Sequence, residues 1–157
     1  MSIYEHFLTH GDLLRLLPGL KAQTLRNWSR DGFVDVEDPN PGVGADRKYS
    51  ALGAIKLAAM HELVRMGVAV SAARKMTNDL GPTIVMAFHM ARESSHLPRA
   101  VIVWCEEDGS YALSTRGWRE MIERSSSPRA YIALQIGLLT IEMRERMERL
   151  HAEEDAA

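Results

Sequence analysis

The sequence predicts a mainly α-helical fold with small β elements, and three observations predict it. Pro18-Gly19 separates two short segments of helical character. Val34 and Val36 alternate with acids ahead of a turn-rich Pro39–Gly44, which suits a β-hairpin returning through Arg47-Lys48-Tyr49. Past Leu97-Pro98 the apolar spacing becomes strand-like in Ala100–Cys105, and the chain closes on a long helical stretch. These features divide it into residues 1–80, two short helices with a hairpin wing and a following helix pair, and residues 81–157, an α+β appendage with a β-hairpin and a long terminal helix.

Each element has a local reason. Asp12 is placed to cap a helix over 12–17, and Gly32 to end a second over 22–30. Ser50 caps a helix through Met66, stopped by Gly67. Its stripes, Leu52, Ile55, Ala59, Leu63 and Met66 on one side and Leu57, Met60 and Val64 on another, predict burial on two sides. Ser71 is placed to cap a helix over 72–79, ended by Gly81-Pro82, and Ile84, Val85, Phe88 and Met90 mark a further helix over roughly 83–94. Residues 100–114 read as a hairpin turning at Glu106–Gly109, with Cys105 expected as a small core residue. A short helix is expected over 115–124. The longest helix is expected from Arg129 to His151, apolar nearly all round in its first half and amphipathic in its second.

Composition bounds the function. The chain has 157 residues, 46% hydrophobic and 25% charged, which is ordinary globular usage and enough for a real core. A net charge of −2 excludes a strongly basic coat. One cysteine excludes an internal disulfide framework and a thiolate zinc cluster. The opening MSIYEHFLTH shows no signal-peptide pattern, no apolar run is long enough to span a membrane, and a cytoplasmic protein is expected. Charge is unevenly spread: Leu13 to Arg30 carries Arg15, Lys21, Arg26 and Arg30 and no acid. Two short helices across a tight turn, with a basic second helix, form a helix-turn-helix able to enter the major groove. Lys21, Gln23, Thr24 and Asn27 lie at its N-terminal turns, where side chains meet base edges. Gln and Asn match adenine, and Lys reaches guanine.

Residues 24–33 read TLRNWSRDGF and residues 47–50 read RKYS. In these segments the chain resembles the MerR family of winged helix-turn-helix transcription regulators, whose pattern is T-L-R-Y-Y-E-x-x-G-L followed by R-x-Y-S. Thr24, Leu25, Arg26, Trp28, Gly32, Phe33, Arg47, Tyr49 and Ser50 match. Leu57, Met60, Leu63, Met66, Gly67, Val70 and Ala73 continue the family's spacing, so the resemblance covers roughly residues 7–77. Asn27 and Ser29 replace an aromatic and a Glu, and the turn at Leu17–Leu20 is one residue longer than usual. An excisionase-type accessory module shares much of the pattern. The resemblance implies a homodimer on an inverted repeat of double-stranded promoter DNA; RNA polymerase is expected as a partner on a competing reading, in which the C-terminal helix docks such a protein. It places Arg26 and Trp28 near phosphates, and Arg47 and Tyr49 at the wing base would grip the flanking backbone; Arg30 and Lys48 are further basic candidates for DNA contact. The wing acids Asp35, Glu37, Asp38 and Asp46 favour the competing reading of a protein-interaction module without DNA.

In the second half, Ile136, Leu139, Met143, Met147 and Leu150 form a stripe expected to pair two chains. Trp104, Tyr111 and Trp118 are candidates to line an effector pocket. Enzyme and metal readings are weak. His61-Glu62 begins an H-E-x-x-H pattern, but Arg65 stands at the second histidine, and no phosphate-binding or nucleophile motif appears. No cofactor is expected.

Overall fold

Helix α1 (His10–Leu16) starts earlier than Asp12. Thr9 is its N-cap, and Asp12 is the third residue of a capping box. Asp12 N donates to Thr9 Oγ1 at 3.3 Å while Thr9 N donates to Asp12 Oδ2 at 2.8 Å. The computed structural model describes residues 7–35, 47–90, 101–105, 108–114 and 131–156. Helix α2 (Ala22–Arg30) has the expected bounds, and Gly32 follows it with φ +70°, a conformation that suits glycine. Of the expected wing, residues 36–46 lie outside the described residues. Its returning residue Tyr49 pairs with Leu8 in an isolated antiparallel bridge: Leu8 N donates to Tyr49 O at 2.8 Å, and Tyr49 N to Leu8 O at 2.9 Å.

Helix α3 (Ala51–Arg65) is capped by Ser50, whose Oγ accepts from Gly53 N at 3.1 Å. Helix α4 (Val70–Asp79) follows Ala69 without a side-chain cap, so Ser71 sits inside the helix rather than capping it. Helix α5 (Gly81–Met90) corrects another expectation. Gly81-Pro82 opens this helix as well as closing α4, because a proline in the first turn gives up an N–H that has no helical partner there. The expected continuation over 91–94 lies outside the described residues.

The hairpin over 100–114 is present as β1 (Val101–Cys105) and β2 (Tyr111–Ser114), with Gly109 at φ +81° in the turn. A third strand, β3 (Tyr131–Leu134), takes residues expected at the start of the terminal helix. Sheet order is β2-β1-β3, both pairs antiparallel, with Val101 opposite Leu134 and Val103 opposite Ile132. A short apolar run does not reveal its period, and cross-strand pairing with β1 decides it here. Helix α6 (Ile136–Asp155) follows directly. The helix expected over 115–124 lies outside the described residues.

One hydrophobic core runs from Leu8 to Leu150, across residue 80. Helix α3 lies at its centre, with ten of its fifteen residues buried, and packs against α4, α5 and α6. Helix α6 also packs against α5 and α1. That arrangement corrects the pairing stripe. Ile136, Met143, Met147 and Leu150 are buried within their own chain, and Leu139 is half-buried against the same core. The stripe reads the same in sequence whether a second chain or α3 fills it. No described helix is long and apolar enough to cross a membrane.

Since Met147 is fully buried, Met147→Ala is expected to lower the unfolding free energy by about 2–5 kcal/mol in urea titrations. The double change Met143→Glu with Met147→Glu is expected to abolish folding. A folded monomer from that double variant would restore the stripe to an interface between chains.

Candidate nucleic-acid interface

Helix α2 is strongly two-sided. Leu25 and Trp28 are its buried residues, and they seat it on the core. Gln23, Arg26, Asn27 and Arg30 fall at i, i+3, i+4 and i+7 and so share the opposite face. Gln23, Arg26 and Arg30 are exposed, and Asn27 is half-buried. Lys21 is exposed at the N-cap, where no side chain bonds the first-turn N–H groups, and no acid lies in that turn. Thr24 is half-buried at the edge of the polar face.

The face is partly organised. Gln23 Nε2 donates to Asn27 Oδ1 at 2.9 Å, which leaves Gln23 Oε1 as acceptor and Asn27 Nδ2 as donor beside each other. Adenine's major-groove edge offers the complementary N6–H donor and N7 acceptor. Arg30 Nε donates to Asp31 Oδ1 at 2.8 Å, with a second bond from Nη2 to Oδ2 at 3.4 Å. This fork holds the Asp31 carboxyl below its ordinary pKa and raises that of Arg30. Part of Arg30's charge is therefore answered within the chain. Arg26 and Lys21 have no hydrogen-bond or ion-pair partner among the described residues.

Two expected contacts are corrected. Trp28 is 6% exposed and Tyr49 is 0% exposed, so neither side chain presents itself to a nucleic acid. Both are the means by which the exposed residues are placed. Tyr49 OH and Ser29 Oγ are 3.2 Å apart in a hydrogen bond, which ties the wing's return to α2. The Trp28 ring meets His61 of α3 edge-on, with centroids 6.5 Å apart and planes at 64°. Arg47 is half-buried and Lys48 exposed, next to Tyr49, and Lys48 Nζ lies 5.6 Å from the centre of the Phe7 ring. Among the wing acids, Asp35 is engaged by Lys56 Nζ of α3 at 3.2 Å, while Glu37, Asp38 and Asp46 lie outside the described residues.

Sequence reasoning missed Ser29 and Arg74. Ser29 stands out as a departure from the family's Glu, but its partner lies twenty positions away and is set by packing. Arg74 of α4 lies over the Phe33 ring, 5.8 Å from its centre, and nothing in the local pattern marks it.

The expected effector pocket is not formed by its described members. Trp104 stands opposite Ala112 and Cys105 opposite Tyr111, so Trp104 and Tyr111 point to opposite faces of the sheet. Trp104 is buried with Ile102, Tyr111 is exposed, and Trp118 lies outside the described residues. Cys105 is exposed at the strand end rather than buried. Among the described residues no three His, Cys, Asp or Glu side chains gather as metal ligands, and Glu62 pairs with Arg65 at 2.9 Å. Comparison with protein-family models and with curated proteins finds no match to the chain.

Burial pushes the His61 imidazole below its ordinary pKa, and the Arg65 charge acts the same way. The nearby Glu62 charge and a hydrogen bond with the Gly19 backbone oppose it. The unfolded chain then binds the proton more readily than the folded one. Stability is full above the unfolded value of about 6.5 and falls as the pH drops below it toward the folded value. Urea titrations across this range are expected to show that fall, and His61→Leu is expected to flatten it relative to the parent. An identical slope in both proteins would assign it to other groups.

Proposed function

We propose that this chain is a sequence-specific, DNA-binding transcription regulator of MerR-like winged helix-turn-helix type. The observation that carries the reading is the outer face of α2. Gln23, Arg26, Asn27 and Arg30 stand on one side of a helix whose other side is anchored by Leu25 and Trp28. A helix held in this way presents a rigid row of amide and guanidinium groups, the chemistry that reads base edges and holds phosphates. The N-terminus of α2, with Lys21 beside unbonded N–H groups, favours an approaching phosphate. Arg47 and Lys48 flank the same helix through the Tyr49–Ser29 link and would take up the neighbouring backbone. The Asp35–Lys56 pair supports the reading, because it answers one wing acid within the protein.

In this reading Arg26 and Lys21 supply affinity and register, and the Gln23–Asn27 pair supplies choice of base. The resemblance extends the proposal to a homodimer on an inverted repeat in cytoplasmic promoter DNA. Its contact between chains lies off the α6 stripe, which α3 and its neighbours already fill.

Selection from a random duplex library, followed by titration of the recovered sequence at several salt concentrations, tests this. Binding is expected to weaken linearly in log–log form as salt rises, and Arg26→Ala is expected to lower the slope by about one without changing the preferred sequence. Gln23→Ala is expected to relax preference at one base pair by about 1–3 kcal/mol. Recovery of no enriched sequence, with no salt-dependent retention of duplex, would refute the reading.

A further inference from the structure

A second cluster of cationic side chains lies where the terminal helix meets the end of α1. An open groove of about 360 Å³ lies between the end of α1, the turn that follows it, and α6, lined by Arg15, Leu16, Pro18, Arg146, Arg149, Leu150 and Glu153. Its volume falls in the lower part of the range occupied by small-molecule sites. Three guanidinium groups face one carboxylate there, so the lining carries a formal excess of two positive charges.

The three arginines are not equally committed. Arg146 Nη1 donates to Leu16 O at 2.8 Å, answering a carbonyl left open at the end of α1, and its Nη2 lies 3.9 Å from Glu142 Oε2 in an ion pair. Arg15 pairs with Glu153. That pair is well exposed on both sides, at 54% and 64%, and an exposed pair of this kind is weak and readily exchanged. Arg149 is exposed and has no partner among the described residues, although it lies one helical turn from both Arg146 and Glu153. Leu16 and Leu150 also border the groove, but both are almost wholly buried.

We propose that this groove binds a small oxyanion, a phosphate or a clustered carboxylate. Arg149 forks onto the anion, Glu153 gives up Arg15 to it, and Arg146, held by Leu16 O and Glu142, adds its charge nearby. Guanidinium forks match the geometry of both anions. The site does not depend on what the face of α2 binds.

Calorimetric titration of the full chain with pyrophosphate, and in parallel with citrate, at constant ionic strength tests the proposal. Saturable binding of one anion per chain is expected for at least one probe. Arg149→Ala is expected to weaken it about ten-fold, and Glu153→Gln to tighten it by releasing Arg15. Both positions are exposed, and circular dichroism checks that each variant keeps the fold. Absence of saturable heat with both probes, or binding that Arg149→Ala leaves unchanged or Glu153→Gln weakens, overturns the proposal. A short DNA duplex is expected not to displace the bound anion; displacement would assign the groove to nucleic-acid phosphates instead and overturn the small-anion assignment.

Discussion

The structure depends on α3 being buried from nearly every side. Ala51, Ala54, Ala58 and Ala59 keep the helix narrow, while Ile55, Leu57, Met60 and Leu63 reach out from it. Close-packed interiors tolerate such an arrangement only when each neighbour fills the space left by small residues. Helices α4, α5 and α6 do this, and the same core holds Leu25 and Trp28 of α2. The position of α2, and therefore of every residue on its outer face, is a consequence of how α3 is enclosed. The α1–α2 turn is part of that enclosure. A Cβ on Gly19 would lie 3.2 Å from His61 Cε1, so the bare glycine lets the turn come down onto α3.

That constraint explains what the sequence made legible. Elements set by local chemistry were readable: α2 with its glycine stop, α3 with its serine cap, and the β1–β2 hairpin with its glycine turn. The sharing of one face by Gln23, Asn27, Arg26 and Arg30 follows from spacing alone. Elements set by distant partners were not readable. Tyr131–Leu134 looks helical until β1 pairs with it. Met143, Met147 and Leu150 make a stripe that says only that something apolar covers it. Trp28 and Tyr49 illustrate the same limit at the candidate site. Their aromatic rings suit either a backbone contact or a core, and the shape of the space between α2 and α3 decides for the core.

The corrections also sharpen the division of work on α2. Aromatic residues position, through Trp28 against His61 and Tyr49 against Ser29, and polar residues remain available. Arg30 is partly occupied by Asp31, whereas Arg26 is not engaged by any described residue. The terminal helix buries Met143, Met147 and Leu150 in the core and turns charged residues outward, where Arg146 and Arg149 line the groove beside Pro18.

The central claim is that duplex DNA meets the outer face of α2. The most direct measurement is backbone and side-chain NMR of the labelled chain during titration with the enriched duplex. The account predicts that signals from Lys21, Gln23, Arg26 and Asn27, with those of Arg47 and Lys48, shift together at one affinity while Met147 in the core and Tyr111 on the sheet stay in place. Shifts confined to the sheet or to α6, with the α2 signals unmoved by bound duplex, would contradict it.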